Sequence, residues 1–423
     1  MRTKELINNN KREVKDVFYL IALQGLNYVA PLIVYPYLMV TLGAEKFGYI
    51  GFSMSFCTYL MLIVDFGFNL TATKRVALYK DNKSKLNEIF SATIYAKILL
   101  LAISFLILVL FSFIPQFKVY VTTMFVVFLM VVGNAFSFVW LFQGLGNIRL
   151  VSIVNTICKL SIFPITFFIV KYPNDYLLAA IVLSSVYIVS SIINAIIIWH
   201  KKWVSLIRCK IVSVKQEIKE SYPIFLSNAA TSIYTASFVV ILGYFASPDE
   251  VGKYAAVDKL MRAMSLLVLM PVTQSFYPKV SRLGKQDKLG AIHLSDKLLW
   301  LVIVGMLCIA GGMFFFSDTI VELLGSDYAD AELLFKIMAF VPLFIGIGGV
   351  NGQLKIVAVG NSENLITFKR IYIAAAAFAL VLVFILVPKF DSVGAAVALL
   401  LTEFLVAVGM SIWSRNKILC SWK

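Results

Sequence analysis

Apolar runs of roughly 20–26 residues recur twelve times along the 423-residue chain. They fall near 17–41, 48–72, 89–113, 119–142, 150–170, 176–198, 221–246, 253–277, 291–316, 331–355, 365–388 and 393–413. Each is long enough to cross a hydrocarbon core of about 30 Å as a helix. Lipid offers no partner to a backbone N–H or C=O, so only helices and closed barrels span it. Barrel strands would be about ten residues long and alternating; these runs are continuous and twice that length. The expected fold is an all-α integral membrane protein with twelve transmembrane helices. Only 14% of residues are charged, against about a quarter in soluble domains, so little mass is left for the aqueous phase.

The net charge of +15 would suit nucleic acid if it lay on one soluble face. It does not. The cations sit between the apolar runs, and their distribution sets an orientation. Segments placed inside, beginning with 1–16, carry 24 Lys and Arg, whereas the outer loops carry 4 (Lys46, Lys118, Lys171 and Lys389). Both termini are therefore expected in the cytoplasm.

The longest and most basic inner segment is 199–220. Trp199, Trp203, Leu206, Ile207, Ile211, Val214 and Ile218 fall on one stripe at helical spacing, which predicts a helix lying on the anionic inner leaflet. The same segment divides the chain into an N-terminal lobe, 1–198, and a C-terminal lobe, 221–423. Short echoes support a duplication. Glu45–Lys46–Phe47–Gly48–Tyr49 resembles Asp249–Glu250–Val251–Gly252–Lys253–Tyr254, and Gln143–Gly144–Leu145–Gly146–Asn147 resembles Val357–Ala358–Val359–Gly360–Asn361. Six spans in each half predict two pseudo-symmetric lobes around a central cavity, related by an axis along the membrane normal. Pro31, Pro36, Pro164, Pro271 and Pro342 lie inside predicted spans, and Gly346, Gly348, Gly349 and Gly352 loosen the tenth.

Ten cations lie within the predicted spans. Lys253, Lys297, Lys355, Lys369 and Arg370 are near span ends, where long side chains reach the headgroups. Lys97, Lys159, Lys259 and Arg262 lie deeper, and Lys336 is near an outer end. A lone cation facing lipid at that depth would cost roughly 2.5–3.5 kcal/mol, so these side chains should face protein or water. Two explanations stand side by side. The cations could be neutralised locally: Asp258 and Arg262 are four residues apart, and Asp65 can reach Lys97 or Arg75. Alternatively they line a cavity for an anion. Deep acids are fewer, namely Asp65, Asp258 and Glu403, and each is a candidate for ion coupling or gating, since a carboxylate in low dielectric can carry a proton.

Enzyme chemistry finds no foothold. His200 and His293 have no partner motif, no phosphate-cradling loop with its lysine occurs, and Cys57, Cys158, Cys209, Cys308 and Cys420 have no metal-ligand spacing. No metal and no cofactor is expected.

The stretch from Tyr49 to Ala77 interrupts an apolar crossing with Asp65 and leaves it at Lys74 and Arg75, which would stand at the inner mouth. The run YPYLMVTLGAEKFGYIGFS (35–53), followed by DFGFNLTATKRVA (65–77), resembles the N-terminal signature of Wzx-type O-antigen flippases. That family belongs to a group that also holds multidrug efflux antiporters and peptidoglycan-precursor flippases. The resemblance implies a flippase in the bacterial inner membrane that moves an undecaprenyl-pyrophosphate-linked oligosaccharide to the periplasmic leaflet. It also implies membrane lipids, a polysaccharide polymerase and a chain-length regulator as partners. A multidrug or cation antiporter is the alternative, and a membrane polysaccharide-modifying enzyme is the third.

Overall fold

The computed structural model describes residues 2–360 and 362–420, with side chains from Pro31 onward apart from breaks within 227–236, at 362 and after Arg415. The side chains of the basic segment 1–16, and Asn361 of the second echo, lie outside the described residues. The described residues are largely helical, with no strand among them. Among the described residues, eight helical stretches are long and apolar enough to cross a membrane, by length and composition. Two of these, Pro31–Leu78 and Glu363–Arg415, run to 48 and 53 residues.

Helix α1 (Arg2–Asp65) bends at Gly43, where φ is 74° and ψ 170°. That conformation is essentially restricted to glycine, and a Cβ there would strike the Asp327 carboxylate. The expected crossing at 48–72 is not continuous. Phe66 and Gly67 take φ of 43° and 86°, ending α1 at Asp65 before α2 (Phe68–Leu78) begins. At Gly67 a Cβ would stand 2.8 Å from Ile224 Cγ2. After α3 (Lys83–Ser112), the expected crossing at 119–142 is broken too. It divides into α4 (Val121–Ala135) and α5 (Val139–Gly144) at Phe138, whose φ is 55°. Helices α6 (Ile148–Ile169), α7 (Tyr176–Lys201) and α8 (Ile211–Phe245) follow.

The remaining elements are α9 (Pro248–Gln286), α10 (Lys288–Phe315), α11 (Ser317–Leu324), α12 (Glu332–Met338) and α13 (Val341–Val350). A π-helical turn occupies Asn351–Val357, taking in Gly352, the last of the glycine run, and such turns gather at functional sites. Helix α14 (Ser362–Cys420) is two limbs joined at Asp391, with φ 46°.

By packing, the chain forms two units: 46–244, and 1–45 together with 245–423. This is a division by contact. The six-and-six division at 199–220 is one by sequence repeat, and it remains a proposal. In the unit 46–244, Trp140, Phe142 and Phe68 are buried in a cluster with Phe90, Val204 and Val214. In the other unit, Leu269, Val302, Met306, Val350 and Leu354 form one cluster, and Ile356, Ala375, Val406 and Met410 another.

The segment 199–220 departs from expectation. Residues 203–210 are not helical. They run as an extended strap along α3: Lys83 Nζ donates to Trp203 O (2.9 Å), Ser205 N to Asn87 Oδ1 (2.9 Å) and Ile207 N to Ser91 Oγ (2.9 Å). Acceptors and donors placed four residues apart on one face of α3 satisfy the strap's backbone, which removes its need to be helical. The apolar stripe is split accordingly. Trp199, Leu206 and Ile211 are exposed, whereas Val214 is buried on α8.

Candidate functional site

The deep charges fall into separate groups in the two units. In the unit 46–244, Asp65 closes α1 beside the break at Phe66. Its Oδ1 lies 3.4 Å from Lys97 Nζ on α3, and Asn69 Nδ2 donates to its Oδ2 at 3.2 Å. Lys97 is wholly buried. Of the two partners open to Asp65, the fold gives it Lys97. Arg75 is taken by Glu217, to which its Nη1 donates, with Glu220 3.7 Å away. Lys74 is exposed.

Lys159 stands alone. It is half-buried in the middle of α6, and among the described residues it has no ion pair and no hydrogen bond. The helical period puts Ser152, Asn155, Thr156, Lys159 and Thr166 on one face. The Ser190 hydroxyl of α7 donates to Asn155 Oδ1. Thr166 Oγ1 is buried without a partner. The result is a polar stripe with one uncompensated cation.

In the other unit, α9 stacks Tyr254, Asp258 and Arg262 four residues apart. Arg262 Nε donates to Asp258 Oδ1 at 2.7 Å, while its Nη2 is buried without a hydrogen-bond partner. Glu403 reaches the same neighbourhood from α14. It is 4% exposed and interacts electrostatically with both Arg262 and Asp258. Asp258 thus holds the guanidinium directly and Glu403 acts on it through space, beside the fully buried Tyr254. Lys259 projects over the Tyr35 ring, 5.0 Å from its centroid, a cation–π contact. Lys336 is not with these groups. It pairs with Glu332 and, at 3.9 Å, with Asp318 at the start of α11.

The comparisons bear on what such an arrangement serves. A family model described as polysaccharide biosynthesis protein matches residues 14–284. The chain belongs to that family. This polysaccharide biosynthesis protein is 31% identical over 417 residues to a protein of Escherichia coli (strain K12) named as an O-antigen transporter, covering 97% of this chain and 99% of that one. Its fold is similar to that of the lipid II flippase MurJ in an inward closed conformation (TM-score 0.71, 15% identity, 94% of this chain and 87% of the other). It is equally similar to an inward-facing multidrug resistance MATE family transporter of the MOP superfamily (TM-score 0.70, 14% identity, 94% and 95%). The chain is a multi-pass bacterial membrane protein and a transporter.

Sequence reading of this polysaccharide biosynthesis protein passed over Glu217. It is buried, and its Oε2 lacks a hydrogen-bond partner. Burial outweighs the pull of Arg75 and lifts its carboxyl to about 7. A signal was present: Val214, Glu217, Ile218 and Ser221 share one helix face, so an acid stands on the side that packs. Tyr254 and Tyr372, which flank Glu403 electrostatically, carried no such signal.

Proposed function

We propose that the chain is a flippase that moves an undecaprenyl-pyrophosphate-linked oligosaccharide, an O-antigen or related repeat unit, from the cytoplasmic to the periplasmic leaflet of the inner membrane. Relatives named as O-antigen transporters that match nearly end to end support that class of passenger. The observation that carries the reading is Lys159. It is a half-buried cation in mid-span with a polar stripe around it and no counter-ion among the described residues. Such a charge is costly unless an anion or water meets it. Sugar hydroxyls and a pyrophosphate cannot cross hydrocarbon unaided, and a wet cationic path supplies what they lack.

In this reading the chain crosses twelve times with both termini in the cytoplasm, and two six-helix halves rock to give alternating access. Lys159 draws the pyrophosphate, with Lys259 and Arg262 as further candidate cations, whereas Lys97 is wholly buried against Asp65 and serves the fold. Lys74 and Arg75 attract the headgroup at the inner mouth. Glu403 and Asp258, the acids near Arg262, are the candidates for ion coupling or gating. Protonation of one acid neutralises the group, and release restores its net negative charge. Asp65 is a lesser candidate, being held by Lys97. Outward movement of each negative charge is favoured by about 2.3 kcal/mol per 100 mV when the inside is negative. The delivered unit would pass to a polymerase and a chain-length regulator. A multidrug antiporter for cations would need deep carboxylates free to meet its passenger, whereas Asp65 and Asp258 are each engaged by a cation.

The test is surface polysaccharide in cells lacking their own flippase, with the chain supplied from a plasmid. Restored surface polymer supports the reading. Loss of drug sensitivity without restored polymer, at normal expression, would replace it with the antiporter.

A further inference from the structure

We propose that the groove between the two limbs of α14 is a binding site for an anionic phospholipid of the inner leaflet. The groove has a volume of about 550 Å³. Ile371, Ala374 and Phe378 line it from the first limb, and Leu405, Val408 and Gly409 from the second. Its walls are apolar throughout. The bare Gly409 lets the first limb come close, since a Cβ there would stand 3.2 Å from Ile371 Cγ2.

The charge at one end of this groove gives it an occupant. Arg370 precedes Ile371 on the first limb. Arg415 lies some one and a half turns beyond Gly409 on the second. Both are exposed, and among the described residues neither has an ion pair or a hydrogen-bond partner. Among the same residues Lys297 and Lys369 are likewise without a partner, whereas two cations near other span ends are neutralised. Lys253 meets Asp249 (2.7 Å) and Glu250 (3.2 Å), and Lys355 meets Asp296 (2.6 Å). Trp413 Nε1 donates to Asn364 Oδ1 at 3.3 Å and ties the two limbs together at that level. A tryptophan there marks the membrane–water interface. The orientation given by the charge bias makes it the cytoplasmic interface.

An apolar groove between two limbs that each carry an unpaired arginine toward the same end, Arg370 next to Ile371 and Arg415 beyond Gly409, is the complement of a lipid with a net negative headgroup. Guanidinium binds phosphate oxygens in a two-pronged manner, and basic pockets between spanning helices on the cytoplasmic side hold acidic headgroups. A zwitterionic headgroup carries its own ammonium and gains less. Inorganic phosphate would leave the groove empty. Depth favours a phospholipid over a polyprenyl chain. On the second limb the lining runs from Leu401 to Gly409, eight steps of 1.5 Å or about 12 Å. That is close to one leaflet, half of a core of about 30 Å, whereas a polyprenyl chain is longer than a leaflet is deep.

The experiment is native mass spectrometry of the purified full chain, stripped of lipid by detergent exchange and titrated with phosphatidylglycerol, phosphatidylethanolamine or a polyprenyl pyrophosphate. One phosphatidylglycerol per chain is expected to bind in preference to phosphatidylethanolamine. The Arg370→Gln/Arg415→Gln variant is expected to bind it roughly 30-fold more weakly, about fivefold per cation. Ala374→Trp, which fills the groove without touching charge, should also lose the bound lipid. Elution volume and helicity show whether each variant folds, and either variant alone decides the question. Equal binding of phosphatidylethanolamine, or undiminished binding by the folded variants, overturns the proposal. Displacement of phosphatidylglycerol by an equal concentration of polyprenyl pyrophosphate overturns it too, and would make the groove a site for the passenger's tail.

Discussion

Lys97 is wholly buried, and its ammonium lies 3.4 Å from the carboxylate of Asp65, which is 29% exposed on the last turn of α1. The pair joins α3 to the point where the second crossing breaks. Breaking a buried pair leaves an uncompensated charge and costs about 3–5 kcal/mol, and the partial exposure of Asp65 favours the lower figure. Asp65→Asn is therefore expected to lower the melting temperature in detergent. The double variant Asp65→Asn/Lys97→Met should recover much of the loss, because no charge is left unpaired. Purely additive losses in that cycle would remove the pair from the account.

Lys159 tests the sign of the passenger. Lys159→Ala should lower transport roughly tenfold or more, as a charge-assisted contact contributes about 1.5–3 kcal/mol. Lys159→Arg should retain more activity than Lys159→Gln, and Lys159→Glu should be worst, because repulsion joins the lost attraction. Since Lys159 has no partner to orphan, expression should hold through the series. Wild-type surface polysaccharide from Lys159→Glu would take this position out of the mechanism.

Glu217 makes stability depend on pH. Its carboxyl titrates at about 7 in the folded chain, against 4.5 for the free group, because burial outweighs Arg75. Between those values the folded state binds more protons than the unfolded one, so stability falls as pH rises. The contribution is complete below 4.5 and is lost through about 7. Glu88, held below the ordinary carboxylate range chiefly by Lys85 and then Ser213, acts at lower pH and does not overlap. Melting temperatures from pH 5 to 8 should decline, and Glu217→Gln should flatten the decline. An unchanged slope in that variant would assign the effect elsewhere.

Gly43 has two reasons to be glycine, a φ of 74° with ψ 170° and the Asp327 carboxylate where a Cβ would stand. Gly43→Ala is expected to cost about 1–3 kcal/mol, read as reduced yield of folded protein and a lower melting temperature. Asp327→Ala alongside it should return only the steric part. Full recovery would mean that the backbone conformation carries no strain.

Reporter fusions after Lys83, Lys210 and Lys285 should report cytoplasm, and fusions near Lys171 and Asp327 periplasm. A periplasmic signal at Lys210 would overturn the six-and-six arrangement, since that segment joins the halves.

Much of this could be read from residue order. The length and continuity of the apolar runs dictate membrane helices, because nothing else satisfies a backbone in lipid. Each of the twelve runs falls on helical structure. The Asp258–Arg262 pair follows from a spacing of four on one helix. The family resemblance around Tyr35–Ala77 was likewise legible. By contrast, the break at Phe138 had no local sign, and at Phe66 only the following Gly67 hinted at one. Phenylalanine does not favour positive φ, so only the surrounding packing can hold it there. The Phe66 ring stacks on Phe225 at 4.4 Å, and Phe138 lies against Phe90.

The choice of partners was decided by the tertiary structure alone. Asp65 could meet Lys97 or Arg75 by residue type, and the fold settled it by bringing Glu217 to Arg75. Glu403 joins Arg262 and Asp258 from a helix far along the chain. The strap at 203–210 is extended because Lys83, Asn87 and Ser91 of α3 satisfy its backbone. Periodicity records which face of a segment is apolar, and so the sequence by itself determined membrane, helix and charge bias. Which charges meet depends on how helices pack, and no local pattern encodes that.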